Sequence, residues 1–137
     1  IHLYNYVNRP WRTQELVDSV YKSQYANSVD GLSGNEDCGQ MSAWYILNSM
    51  GFYQVCPGKP VYSIGRPAFD KAVINLPGEK TFSIVVKNNA KTHKYIESVL
   101  LNGKPLDTPF FNHQDITAGG VMEIKMTDRP TKWGVSK

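Results

Sequence analysis

Cys56-Pro57-Gly58-Lys59-Pro60 divides this chain. Two prolines and a glycine within five residues continue neither a helix nor a central strand. Beyond Pro60 the helical period is absent and short runs rich in β-branched and aromatic residues take over. Val61 to Ile64, Lys71 to Leu76, Thr81 to Lys87, Tyr95 to Leu101 and Val121 to Met126 read as strands. Leu76-Pro77-Gly78-Glu79 and Leu101-Asn102-Gly103-Lys104 mark tight turns between them, the Asn-Gly pair being a strong hairpin signal. An antiparallel, sandwich-like sheet is the economical architecture for strands at this spacing.

Upstream of the break the period is helical. Thr13 to Tyr25 sets Leu16, Val17, Val20 and Tyr21 on one face after Pro10, the pattern of an amphipathic helix. Gln40 to Met50 is apolar nearly all round and stops at Gly51, a natural C-terminal cap, so it is expected to be buried. Two helices cannot close a helical domain. The expectation is an α+β chain: residues 1–56 belong to a larger helical body and residues 57–137 form a β subdomain packed on it. An apolar patch left uncovered would favour self-association.

Composition narrows the function. The chain has 137 residues, 20% charged and 41% hydrophobic, the balance of a folded domain. Net charge is only +3, with no run of more than two basic residues, which speaks against a nucleic-acid partner. No stretch reaches the roughly 20 apolar residues that span a bilayer. Ile1-His2-Leu3-Tyr4-Asn5-Tyr6 is neither a charged leader nor an apolar signal segment, so any targeting signal is expected upstream. Cys38 and Cys56 form no CxxC pair, and their number fits one disulfide or two free thiols equally. His2, His93 and His113 are widely separated.

The chemistry concentrates in Asp30-Gly31-Leu32-Ser33-Gly34-Asn35-Glu36-Asp37-Cys38-Gly39-Gln40, where three acids and an amide share a glycine-punctuated loop running into the second helix. A rigid helix behind such a loop can aim a carboxylate, and its N-terminal N–H groups favour the ionised form a general base needs. Asp37 followed by Gln40 is equally a helix-capping box, and spacing alone favours that plainer role.

Gly34-Asn35-Glu36-Asp37-Cys38-Gly39-Gln40-Met41-Ser42-Ala43-Trp44-Tyr45, continuing through Met50-Gly51-Phe52-Tyr53 to Val55-Cys56-Pro57-Gly58, closely resembles a signature block of glycoside hydrolase family 92, the calcium-dependent exo-acting α-mannosidases. Leu3-Tyr4-Asn5-Tyr6 with Pro10-Trp11-Arg12-Thr13-Gln14 is similar to the preceding block, and Ile64-Gly65, Phe69-Asp70-Lys71-Ala72 and Trp133-Gly134 to the closing segment. The resemblance implies the last helices of an α/α toroid followed by terminal β structure. It also implies hydrolysis with inversion, Asp37 as general base, and Asn35, Glu36, Asn5 and Trp11 as supporting or substrate-contacting residues. The general acid and the ligands of the calcium cofactor are expected upstream, so the stretch alone should be inactive. A mannose-containing glycan is the implied partner, periplasmic or secreted the implied location, and the wording Asn35-Glu36-Asp37-Cys38 leans toward α-1,2 members.

The rival reading is a non-catalytic carbohydrate-binding or structural β module, with Tyr62, Tyr95, Phe110 and Phe111 as the stacking face. A protease fails for want of a Ser/His/Asp or Cys/His arrangement.

Overall fold

Pro10 opens the first long helix because its fixed φ suits the first turn and its missing N–H is not needed there. In the computed structural model, which describes residues 1–136, this helix (α1) spans Pro10–Gln24 and follows a 3-10 helix at His2–Val7. Its buried face is polar: Thr13, Gln14 and Asp18 are buried beside Val17. Of the four residues expected to face the core, only Val17 is fully buried, and Leu16, Val20 and Tyr21 are half-buried.

Gln14 and Asp18 owe their burial to partners outside α1. Gln14 Oε1 accepts the Ile96 backbone N–H at 3.0 Å, and the Tyr95 hydroxyl donates to Glu15 Oε1 at 2.5 Å, clasping α1 to a distant strand. Glu15 in turn pushes the Tyr95 hydroxyl up to about 12. Asp18 is surrounded by Lys22 at 2.6 Å, Arg66 at 3.6 Å and Lys94 at 3.7 Å, which offsets the cost of burying its charge.

Helix α2 spans Gln40–Met50 as the apolar run predicts, and Gly51 ends it at φ 109 with its N–H on the Asn48 carbonyl. A side chain at Gly51 would also stand 3.2 Å from Pro67 Cβ. The expected all-round burial is not seen. Only Asn48 and Ser49 are buried, and Tyr45 and Ile46 are 37% and 56% exposed because the described residues cover just one side of the helix. Leu3, Tyr6 and Val7 of the 3-10 helix are likewise more than half exposed.

Among the described residues eight strands follow: β1 Phe52–Tyr53, β2 Val61–Ile64, β3 Lys71–Asn75, β4 Thr81–Lys87, β5 Tyr95–Leu101, β6 Lys104–Pro105, β7 Phe110–Asn112 and β8 Gly120–Thr127, with a short helix α3, His113–Thr117, before the last. The first strand lies before Cys56 and pairs with β2, so β structure begins on the helical side of the break. Asn102 and Gly103, both at positive φ, turn β5 back into β6 as the Asn-Gly signal requires. The short β1, β6, β7 and α3 give no run long enough to read from periodicity.

Two sheets form, in the orders β1-β2-β7 and β3-β4-β8-β5-β6. The larger is not wholly antiparallel. β4 and β8 pair in parallel from Phe82↔Gly120 to Lys87↔Lys125, because β5, β6, β7 and α3 carry the chain away and return it in the same direction. Phe82, Ile84 and Val86 alternate inward from β4, and Met122, Ile124 and Met126 from β8. Ile96 and Val99 of β5, three apart, are both buried because a bulge between Ile96 and Ser98 resets the alternation. Phe52, Ile64 and Phe111 of the smaller sheet join this core, with Phe82 and Phe111 stacked across the gap at 6.4 Å.

Candidate functional site

The segment joining α1 to α2 begins as a tight reversal. Tyr25 bridges Leu32, and Ala26 N–H bonds the Gly31 carbonyl at 2.9 Å. Gly31 is required, since any Cβ there would sit 1.9 Å from the Ala26 carbonyl oxygen. The chain then passes Gly34 and Asn35 to Glu36, and enters α2 through three successive left-handed residues: Asp37 at φ 50, Cys38 at φ 58 and Gly39 at φ 89. Two of these carry side chains, so the conformation costs about 1 kcal/mol or more per residue and must be held by its surroundings.

Glu36 holds it. Its carbonyl accepts the Met41 N–H at 3.3 Å, its Oε1 the Ser42 N–H at 2.9 Å and its Oε2 the Ser42 hydroxyl at 3.0 Å. Two free N–H groups of the first helical turn are thereby satisfied from one residue. The Asp37–Gln40 capping box does not form: Gly39 is the cap residue, and Gln40 N–H bonds the Asp37 backbone carbonyl, leaving the carboxylate uninvolved in the cap. Asp37, Asn35 and Cys38 are all exposed.

An aromatic floor fixes α2 beneath this loop. The Tyr25 hydroxyl donates to the Met41 carbonyl at 3.0 Å, and its ring stacks on Trp44 at 5.7 Å and 4°. Tyr45 and Tyr53 close on the same pair, at 4.9 Å from Tyr25 and 6.4 Å from Trp44. Burial, with the nearby Glu36 charge, raises the Tyr25 hydroxyl pKa.

The structure does not bring Asn5 or Trp11 to this loop. Asn5 is 3% exposed, and its amide donates to Ser63 Oγ at 2.7 Å and to the Ile64 carbonyl at 2.9 Å. Its neighbourhood lies at the far end of α2, where Asn48 sits, about 12 Å along the axis from Gln40. Trp11 is half-buried on the first turn of α1, the end opposite Tyr25. The Asn5 side chain, expected to support or contact substrate, is buried and ties the 3-10 helix to β2.

His2 belongs to the same buried group. Asn48 Nδ2 donates to the Trp44 carbonyl at 2.9 Å, which turns Asn48 Oδ1 toward His2 Nε2 at 2.8 Å and places the ring proton there. Nδ1 then accepts from Ser63 Oγ at 2.9 Å. Burial, opposed by the Asn48 bond, lowers the His2 pKa from 6.5 to about 4. Between those values the unfolded chain binds the extra proton and the folded chain does not. Stability therefore falls as pH drops from about 6.5 to about 4, by up to about 3 kcal/mol, and is fully present above that window. Chemical denaturation across pH 4–8 should show this slope, and His2→Gln should be less stable at pH 7 with the slope flattened.

A cleft of about 620 Å³ lies beside the loop, lined by Tyr25, Asn27, Ser28, Ser42, Tyr45 and Ile46 among others. It borders Ser42, the partner of Glu36, but Asp37 is not in its lining. Among the described residues no group of three or more His, Cys, Asp or Glu side chains is placed to hold a metal. Cys38 and Cys56 are exposed free thiols. The aromatics that a stacking face would need are largely engaged in packing or hydrogen bonds: Phe111 is buried and packs on Tyr62 at 5.4 Å, Tyr62 bonds His113 at 3.0 Å, Tyr95 bonds Glu15, and Phe110 packs on Tyr6 at 4.7 Å.

The sequence profile of the glycosyl hydrolase family 92 catalytic domain matches residues 1–128. The chain belongs to glycosyl hydrolase family 92. This family 92 chain superposes with a TM-score of 0.93 on a GH92 α-mannosidase from Bacteroides thetaiotaomicron in complex with mannoimidazole, at 34% identity over 98% of this chain and 18% of that one. With a GH92 inverting mannosidase of Bacteroides thetaiotaomicron VPI-5482 the TM-score is 0.92 and the identity 38%, over the same shares. A curated relative, an uncharacterized secreted glycosidase of Arthroderma benhamiae, is 28% identical over 98% of this chain. The chain spans 18% of the length of each of these relatives. No helix among the described residues of the family 92 chain is long and apolar enough to cross a membrane.

What sequence reasoning missed at this site is the Glu36–Ser42 grip and the Tyr25 anchor. An acid six residues before a serine matches no standard helix-start pattern; only the left-handed run between them brings the two together.

Proposed function

We propose that this chain is the C-terminal part of an exo-acting, inverting, calcium-dependent α-mannosidase that removes terminal mannose from glycans, with an α-1,2 preference. Residues 1–56 would supply the last helices and an active-site loop of an α/α toroid, and residues 57–137 its terminal β subdomain. The observation that carries the reading is Asp37: its carboxylate is exposed and takes no part in capping α2, while the backbone that carries it is clamped by the adjacent Glu36.

In this reading the Asp37 carboxylate takes a proton from a water as the water oxygen bonds to the anomeric carbon. The glycosidic carbon–oxygen bond breaks on the opposite face, and the leaving oxygen takes a proton from a glutamic acid outside this chain, about 6.5 to 9.5 Å from Asp37. In the same reading Asn35, exposed beside Asp37, is a supporting or substrate-contacting neighbour. Calcium, whose ligands lie outside the described residues, would bind sugar hydroxyls. The exposed faces of α2 and the 3-10 helix are covered by the rest of the same polypeptide, and an isolated stretch would be inactive and self-associate. Export to the periplasm or beyond accords with the secreted fungal relative.

Proton NMR of the full-length protein acting on α-1,2-mannobiose tests this. β-Mannose should appear first, before mutarotation, and chelation of calcium should stop its release; initial α-mannose would overturn inversion, and no mannose from any α-mannoside would overturn the activity.

A further inference from the structure

We infer that Glu36 is a positioning residue for Asp37 and not a contact for the sugar, an inference that rests on Asp37 being the general base. Both Glu36 carboxylate oxygens are committed to one residue of α2, the backbone N–H and hydroxyl of Ser42 at 2.9 and 3.0 Å, and the Glu36 carbonyl takes the Met41 N–H. Residue 36 thus closes a loop onto the first turn of α2, and inside it lie only Asp37, Cys38 and Gly39, all at positive φ, before the helix begins.

That arrangement has a mechanical consequence. Asp37 and Cys38 would leave the left-handed region if released, since side chains are disfavoured there. A change of that kind at residue 37 rotates the direction in which its carboxylate leaves the backbone. The helix end supplies the complementary half: the charge of Glu36 lies against the partly positive N-terminus of α2, so the grip is charge-assisted as well as bidentate. α2 itself is seated by the Tyr25 hydroxyl on the Met41 carbonyl, so the loop is held against a fixed element.

The test is steady-state kinetics of the full-length protein on an α-mannoside with Glu36→Ala, Glu36→Gln, Ser42→Ala and Asp37→Asn, each checked by thermal unfolding. A glutamine can accept the Ser42 N–H through its oxygen and donate to the Ser42 hydroxyl, so it keeps the loop closed. Glu36→Ala should lose about 10- to 100-fold in kcat with KM within about threefold, the size expected for a base displaced by about an ångström. Glu36→Gln should restore kcat to within a few-fold of the parent, and Ser42→Ala should lose less than Glu36→Ala. A rise in KM with kcat kept, or a Gln variant as impaired as Ala, would make Glu36 a substrate contact and overturn the inference. Parental kinetics for Glu36→Ala beside an inactive Asp37→Asn would overturn positioning alone, whereas an active Asp37→Asn would overturn the general-base reading beneath it. If Glu36→Ala does not fold, the Gln and Ser42→Ala pair decides between the same outcomes.

Discussion

Asp37→Asn in the full-length protein is expected to lower kcat for α-mannoside hydrolysis by about 10²- to 10⁴-fold, the usual contribution of a general base. KM should change little, because the carboxylate acts on the attacking water. Stability should stay within about 0.5 kcal/mol, since the Asp37 side chain is exposed and makes no cap bond to α2. Asparagine is the substitution of choice: residue 37 stands at φ 50, a region asparagine tolerates better than alanine does, so the change removes the base without releasing the backbone. The measurement is initial rate against substrate concentration, paired with denaturant unfolding. A variant that turns over at the parental rate while losing about 1 kcal/mol of stability would make Asp37 a helix cap after all.

The second large effect is structural. Phe82→Ala is expected to cost about 3–5 kcal/mol, the range for emptying a buried aromatic site. Phe82 is fully buried on β4, the strand next to the centre of the larger sheet, and its ring stacks at 6.4 Å and 9° on Phe111 of the smaller sheet. Truncation therefore opens a cavity in the seam between the sheets, where neither can collapse without moving the other. Urea denaturation should show a lowered midpoint at unchanged slope. Val73→Ala, on the neighbouring edge strand and 47% exposed, is the control and should stay within about 1 kcal/mol. A Phe82→Ala midpoint no lower than that control's would mean that the two sheets do not share a core.

Local signals account for several elements. Gly51 stops α2 because an αL residue is needed there, Asn102-Gly103 turns β5 into β6, and the runs Val61–Ile64, Thr81–Lys87 and Tyr95–Leu101 are strands over the bounds their patterns suggest. At the site, the sequence locates the loop and its acids and leaves Asp37 both a capping and a general-base role. The reason is that a cap and a base look alike along the chain: both are an acid before a helix. They differ in where the carboxylate goes, and at α2 it is Glu36, reaching Ser42, that meets the first turn.

By itself, the sequence determined the two helices, most strand positions, the turn residues and the family-like block around Asp37, because each of these depends on residues within a few positions of one another. Tertiary structure alone decided the rest. The parallel pairing of β4 with β8 follows from a long excursion of the intervening chain. The burial of Gln14, Asp18 and Asn5 follows from partners 48 to 82 residues away in Ile96, Arg66 and Ser63. A polar side chain looks like surface in the sequence, and it becomes core when a distant strand brings the one group that satisfies its hydrogen bonds or charge.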